Sequence, residues 1–338
     1  IFLAFALMIY NVGLVQAAGS ISITPPSGPW GTSVTVSGTG FTAGETVTVT
    51  YDGVPVTNTN PYPITVPAGA TTWSATITIP FLTLVTTYGP RVIVATGATS
   101  GAAAPQTFTV TSPSISLSRA TGPSGANVTV SGVGFGANES GIFVIYDSIS
   151  VPTGVIANAV GNWSATIIIP PSVGGSHTIK ARGINTQDSI ISPQTFTVTP
   201  SISISQTRGT AGTAITVNGS GFAASETSIS ITFDGTPILS GITATPDGSL
   251  NTMLSIPPSS GGAHSIKASG STTLASSVPE ATFIVNPSMS ISRTSGTAGT
   301  SVTVSGTGFG SNETGINVTY DGASIQTTPS TITASPTG

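Results

Sequence analysis

The chain has 338 residues, of which only 5% are charged and 38% are hydrophobic. Seven Lys and Arg are scattered along it and the net charge is −4, so no basic patch can follow a phosphate backbone, which excludes nucleic acid as a partner. Cys is absent, which removes disulfides as staples, and 41 glycines and 25 prolines beside few Glu, Lys, Gln or Arg argue for short strands and tight turns instead of helices.

The amino end, residues 1–18, is apolar from Ile1 to Val15 except for Asn11. With small residues around a cut after Ala17, it reads as a hydrophobic export signal, or else as an anchor, although it is short for a membrane span. If retained, it would be the chain's contact with a membrane. Past it, Val, Ile and Phe recur at alternating positions, which argues against disorder in spite of the Gly, Pro and Ser content.

The recurrence has a period. Phe41, Phe135, Phe222 and Phe309 each end a Gly-x-Gly-Phe, closing the runs "SVTVSGTGF", "NVTVSGVGF", "AITVNGSGF" and again "SVTVSGTGF". In the first repeat, Val34 and Val36 fall on one face of a strand and Ser33, Thr35 and Ser37 on the other; the next run gives Val47, Val49 and Tyr51 against Thr48 and Thr50. The glycines after the first run suit a sharp turn, and the Phe a gap between sheets. Asp52-Gly53 is a favoured two-residue hairpin turn. "WSATITIP" at 73–80 and "QTFTVT" at 106–111 complete the repeat. The second answers with Tyr146-Asp147, "WSATIIIP" at 163–170, "SHTIKARG" at 176–183 and "QTFTVT" at 194–199. The third answers with Phe233-Asp234-Gly235, "LNTMLSIP", "AHSIKASG" and "ATFIVN", Leu250 standing where Trp73 and Trp163 stand. The fourth reaches Tyr320-Asp321-Gly322 and stops at Gly338 before its Trp strand. The pattern predicts an all-β chain of tandem immunoglobulin-like β-sandwich domains over 19–111, 112–199 and 200–286, with an incomplete one over 287–338. One Pro between repeats (Pro113, Pro200, Pro287) predicts stiff junctions and a rod of domains roughly 40 Å each.

The run "SGTGF" after "GTSVTV", followed by an acidic residue and "VTYDG", resembles the IPT/TIG class of immunoglobulin-like domains, and the resemblance extends over residues 19–338. It implies tandem sandwiches of the kind found on bacterial and archaeal surface proteins. It carries over no catalytic or binding residue, because this sandwich hosts many roles.

Few residues suggest chemistry. Glu45, Glu139, Glu226 and Glu313 each follow a motif Phe by four residues, and Asp52, Asp147, Asp234 and Asp321 end the next strand. Glu139 with Asp147, and Glu226 with Asp234, are candidate calcium ligands; the competing reading makes each Asp a hairpin residue and each Glu a loop residue. His177 and His264 occupy equivalent strands of different repeats, so they read as strand positions and not as a metal pair. No nucleophile has a base beside it and no Gly-rich loop leads into a helix, so neither a cofactor nor an enzymatic activity is expected. Six Asn-x-Ser/Thr sequons occur; Asn138, Asn162 and Asn312 fall in loops and are candidate glycosylation sites, while Asn127, Asn218 and Asn317 fall in strands.

These features predict an extracellular or cell-surface structural protein, a stalk or filament subunit. Its partners would be further copies of the chain, completing the half-sandwich by strand addition, unless the chain continues past Gly338. The alternatives are an adhesin or carbohydrate-binding module with surface glycans as partners, its sticky tip or end-cap built from Tyr62, Phe81 and Tyr88 in the irregular part of the first repeat, or the non-catalytic stalk of a larger surface enzyme.

Overall fold

Short runs of Val, Ile and Thr become strands because β-branched side chains suit the two faces of a pleat. The computed structural model describes residues 19–81 and 88–338, so the export or anchor segment over 1–18 lies outside the described residues. The fold is all-β and immunoglobulin-like, with one 3₁₀ turn at Asp188–Ile190. No helix among the described residues is long and apolar enough to cross a membrane. The chain divides into two compact units, one of Ile1–Ser118, Thr129–Ile167 and Ile179–Gln194, the other of Arg119–Val128, Ile168–Thr178 and Thr195–Gly338.

The first unit holds the first repeat. Strands Ser20–Thr24, Ser33–Thr39, Thr72–Thr78 and Thr59–Asn60 form one antiparallel sheet in that order. The facing sheet runs Ser27–Gly28, Gln106–Val110, Gly89–Gly97, Thr46–Tyr51 and Val54–Pro55. The chain changes sheets after Thr24, and Ser27–Gly28 then lies parallel to Gln106–Val110. Val34, Val36, Val47, Val49 and Tyr51 are buried between the sheets, as the alternation predicts, with Phe41, Ile77, Ile93 and Phe108 beside them. Burying each such side chain is worth roughly 1.5–3 kcal/mol. This unit also holds part of the second repeat: Ser114–Leu117 on Asn127–Val133, and Phe143–Tyr146 between Ile149–Pro152 and residues 179–182.

The second unit holds the third repeat, with one sheet of Ser201–Ile204, Ala214–Ser220 and Leu250–Ser255. Its partner runs Arg208–Gly209, Ala281–Val285, Gly262–Ser269, Ile229–Phe233 and Thr236–Ile242. The same change of sheet sets Arg208–Gly209 parallel to Ala281–Val285 and, in the second repeat, Thr121–Gly122 parallel to Thr197 and Val198. In the fourth repeat Ser288–Ile291 pairs with Val304–Thr307, and Thr319–Tyr320 with Ala323–Ser324. Asn317 precedes that last hairpin and lies outside any strand, contrary to the sequence reading.

The two glycines of each Gly-x-Gly-Phe do different work, where sequence reasoning gave both the turn. Only the second takes a positive φ: 78° at Gly40, 73° at Gly134, 75° at Gly221 and 74° at Gly308. A Cβ on Gly134, Gly221 or Gly308 would also strike the backbone around Pro113, Pro200 or Pro287. The first glycine lies under a core side chain. A Cβ on Gly38 or Gly132 would enter the indole of Trp73 or Trp163, and one on Gly219 would press on Leu250. Phe41 and Trp73 meet edge to face at 5.5 Å, and Phe135 and Trp163 at 5.2 Å. The outward face of the smaller sheet carries hydroxyls that pair across strands: Ser20 with Thr39 at 2.9 Å, Ser37 with Ser74 at 3.2 Å, Ser131 with Ser164 at 3.2 Å, and Ser201 with Ser220 at 3.1 Å.

Candidate functional site

The repeated acids are the most conspicuous polar groups; Glu45, Glu139 and Glu226 are buried, while Glu313 and the four Asp are exposed. Glu226 follows the Phe222 turn and is 5% exposed. Its carboxylate accepts from the Ala223 N–H at 3.0 Å, the Thr272 N–H at 2.7 Å, the Thr273 N–H at 2.8 Å and the Thr273 hydroxyl at 2.6 Å. Glu139 accepts in the same way from Gly136, Asn185 and Thr186, at 2.6–2.7 Å. Glu45 accepts from the N–H groups of Thr42, Thr99 and Ser100 and from the Ser100 hydroxyl. Each Glu therefore ties the loop after the motif Phe to a loop across the sandwich. Burial alone would push the Glu45 carboxyl up; the Ser100, Thr99 and Thr42 donors outweigh it and hold the carboxyl down at about 2. Glu226 shifts in the same direction, burial again being outweighed by the donors of Thr273, Thr272 and Ala223.

Sequence reasoning placed these acids correctly in a loop but missed their partners. A signal was present: Gly97, Gly183 and Gly270 each open a Gly-x-polar-Ser/Thr run. A Cβ on any of the three would overlap the neighbouring Glu carboxylate.

The Asp residues sit in the hairpin turns. Asp52 has φ 48° and Gly53 φ 81°, and Asp234 and Gly235 repeat those values. The Asp52 carboxylate accepts from the Val92 N–H at 2.9 Å and from Arg91 at 3.0 Å. Asp234 accepts from the Ser265 N–H at 2.9 Å and lies 2.6 Å from His264 Nδ1. Burial raises the Asp234 carboxyl, but His264 and the Ser265 N–H outweigh it and hold it below the ordinary carboxylate value. The four calcium candidates do not converge: Glu139 and Asp147 flank Phe143–Tyr146 at its two ends, and Glu226 and Asp234 flank Ile229–Phe233 likewise. Among the described residues no three His, Asp or Glu gather as a metal site would need.

Asn138, Asn162 and Asn312 are exposed, Asn138 and Asn312 with φ 57° and 54°. Asn138 and Asn162 share one loop, their backbones both bonded to Asn158. Asn218 is committed to Asn251 at 2.5 Å, and Asn317 to Ser324 at 2.8 Å. The irregular part of the first repeat does not form one aromatic tip. Phe81 and Tyr88 pack on Trp30 at 5.2 and 5.4 Å, and the Trp30 carbonyl accepts from the Ala137 N–H of the second repeat at 2.9 Å. Tyr62, 67% exposed, stands in a separate turn between Pro61 and Pro63.

The third repeat carries the whole pattern: two sheets, the Gly-x-Gly-Phe turn, the buried Glu and the Asp-Gly hairpin. Residues 200–283 match the family model for the IPT/TIG domain. The third repeat is an IPT/TIG domain. The other repeats share the residues that build it. No curated protein matches the sequence. Among solved structures, the chain is similar to the Yersinia pseudotuberculosis adhesin InvE, with 13% identity, 54% of this chain and 58% of that one covered, and a TM-score of 0.25. The chain thus spans little more than half of that structure. It is similar to the Escherichia coli adhesin FdeC, with 15% identity, coverage of 80% and 98%, and a TM-score of 0.24. It is also similar to SGBP-B of the Bacteroides ovatus mixed-linkage glucan utilization locus, in complex with a mixed-linkage heptasaccharide, with 13% identity, coverage of 83% and 75%, and a TM-score of 0.28.

Proposed function

We propose that the chain is a non-catalytic extracellular structural protein, a stalk or filament subunit in which IPT/TIG repeats act as spacers. The observation that carries this reading is where the repeated residues are spent. Glu45, Glu139 and Glu226 accept from loops of their own repeats, Asp52 and Asp234 accept from a neighbouring strand, and Gly134, Gly221 and Gly308 pack on the backbone at a junction Pro. Consecutive repeats are joined by backbone bonds: the Gly174 N–H donates to the Phe222 carbonyl at 3.4 Å, and the Gly261 N–H to the Phe309 carbonyl at 3.0 Å. Small-angle scattering of the purified chain tests the reading. A single compact globule of this length has a radius of gyration of about 20 Å; a spacer gives a value well above it, and a value near it sinks the proposal. Electron microscopy of native material separates a filament subunit from a stalk, and binding on a glycan array would move the reading to an adhesin.

The neutral surface fits a glycosylated protein, and Asn138 and Asn162 are the sequons with exposed loop positions and uncommitted side chains. A glycan there would cover Ile156 and Val160, 63% and 61% exposed in the same loop. Peptide masses of native material should show both sites modified; unmodified masses remove this part of the proposal.

A further inference from the structure

The stalk reading leaves the two histidines unused. His264 is 9% exposed and stacks on Phe233, ring centroids 4.8 Å apart. Its Nδ1 lies 2.6 Å from a carboxylate oxygen of Asp234, and its Nε2 lies 2.8 Å from the carbonyl oxygen of Ser260. Carboxylate and carbonyl oxygens only accept, so both ring nitrogens must donate, and only the doubly protonated ring carries two N–H groups. His177 repeats part of this arrangement, with Nε2 3.0 Å from the Val173 carbonyl.

What the rings hold is the joint. Ser260 precedes Gly261, whose N–H reaches the Phe309 carbonyl of the next repeat, and Val173 precedes Gly174, whose N–H reaches Phe222. In the first repeat the equivalent strand place is Arg91, bonded to Asp52; Arg stays charged at every working pH. Asp234 is the charged group that faces the His264 ring. Phe283 lies opposite His264 on the neighbouring strand, while Lys267 and Glu280 pair with each other at 3.6 Å, Lys267 on the other face of the strand.

We propose that His264 is a proton-operated latch on the joint between the third and fourth repeats: the doubly protonated ring bridges the Asp234 hairpin to the Ser260 carbonyl, and loss of one proton frees the turn that carries Gly261. Histidine is the side chain whose ordinary titration falls between pH 5 and 8. When the proton leaves, the remaining N–H stays with the Asp234 carboxylate, the stronger charge-assisted partner. The Nε2 lone pair then faces the lone pairs of the Ser260 carbonyl, and the turn loses its anchor. At the joint before, His177 Nε2 lies 3.0 Å from the Val173 carbonyl, the corresponding contact of that turn.

Nuclear magnetic resonance on the full chain tests the latch, by titration from pH 5 to 8 with hydrogen exchange at the Gly261 amide corrected for its intrinsic rate. The Gly261 amide shift should follow the His264 ring signals through one midpoint, and its protection should fall about tenfold on the alkaline side. Amides around Arg91 should show no matching transition. His264→Gln should abolish the Gly261 response, and His177→Gln should leave it intact. If His264→Gln does not fold, the native titration decides alone. The latch is overturned by a His264 ring that keeps one protonation state throughout, by a Gly261 amide indifferent to the ring's titration, or by loss of the Gly261 response in His177→Gln.

Discussion

Glu226 shows how one buried charge can organise a repeat. Its two oxygens are shared among three backbone N–H groups and the Thr273 hydroxyl. Replacing it with Ala leaves the buried Thr273 N–H and hydroxyl without an acceptor and two half-buried N–H groups unpaired, and Glu226→Ala should destabilise the third repeat by about 3 kcal/mol in chemical denaturation. Glu45 makes the same point through pH. Its folded carboxyl titrates at about 2 against an ordinary 4.5, so the unfolded chain binds the proton more readily. The stability it contributes is present above about 4.5 and is lost as pH falls toward 2; Glu45→Gln should flatten the acid limb of the stability curve in that window. The tryptophans give a third test. The indole N–H groups of Trp73 and Trp163 are buried and have no acceptor, whereas Leu250 fills the same place without a polar atom. Trp163→Leu should therefore cost less than about 1.5 kcal/mol, and Trp163→Ala about 3 kcal/mol or more. The period of the Glu residues was plain in the sequence, because a fixed distance from Phe is countable. Their partners were not, since Thr99-Ser100, Asn185-Thr186 and Thr272-Thr273 look like any loop in a chain so rich in hydroxyls.

At the scale of elements, the strands were legible because alternation of Val with Thr or Ser has one structural meaning. The turns were half legible. Asp-Gly was read as a hairpin and is one, at φ 48° and 81° for Asp234 and Gly235. The motif glycines read alike but divide their tasks, and periodicity holds no signal for that division; it depends on what lies above each one. The prediction follows from φ. Gly221→Ala forces a side chain into the left-handed region and against Pro200, and should cost about 2–3 kcal/mol while raising exchange at the Gly174 amide. Gly235→Ala, with open space around its Cα, should cost only about 1 kcal/mol.

For the whole molecule, charge is scarce, and Glu45, Glu139 and Glu226 are buried. Arg91 pairs with Asp52 at 3.0 Å and Lys267 with Glu280 at 3.6 Å. Screening has little to act on, so the melting temperature should move by less than about 2 °C between low salt and about 1 M NaCl. A larger fall would mean that surface charge matters more than the buried carboxylates. The bond that joins the second repeat to the third, and the third to the fourth, runs from a glycine N–H to a phenylalanine carbonyl, and so asks for no particular side-chain chemistry at the contact. Gly174 and Gly261 present the same donor, and Phe222 and Phe309 the same acceptor. An unequal crossover that removed residues 200–286 would bring Gly174 to Phe309 with matching groups on both sides. Such a gene can lengthen or shorten by whole repeats without a compensating mutation, which makes the reach of the protein a quantity that recombination can adjust in a single event.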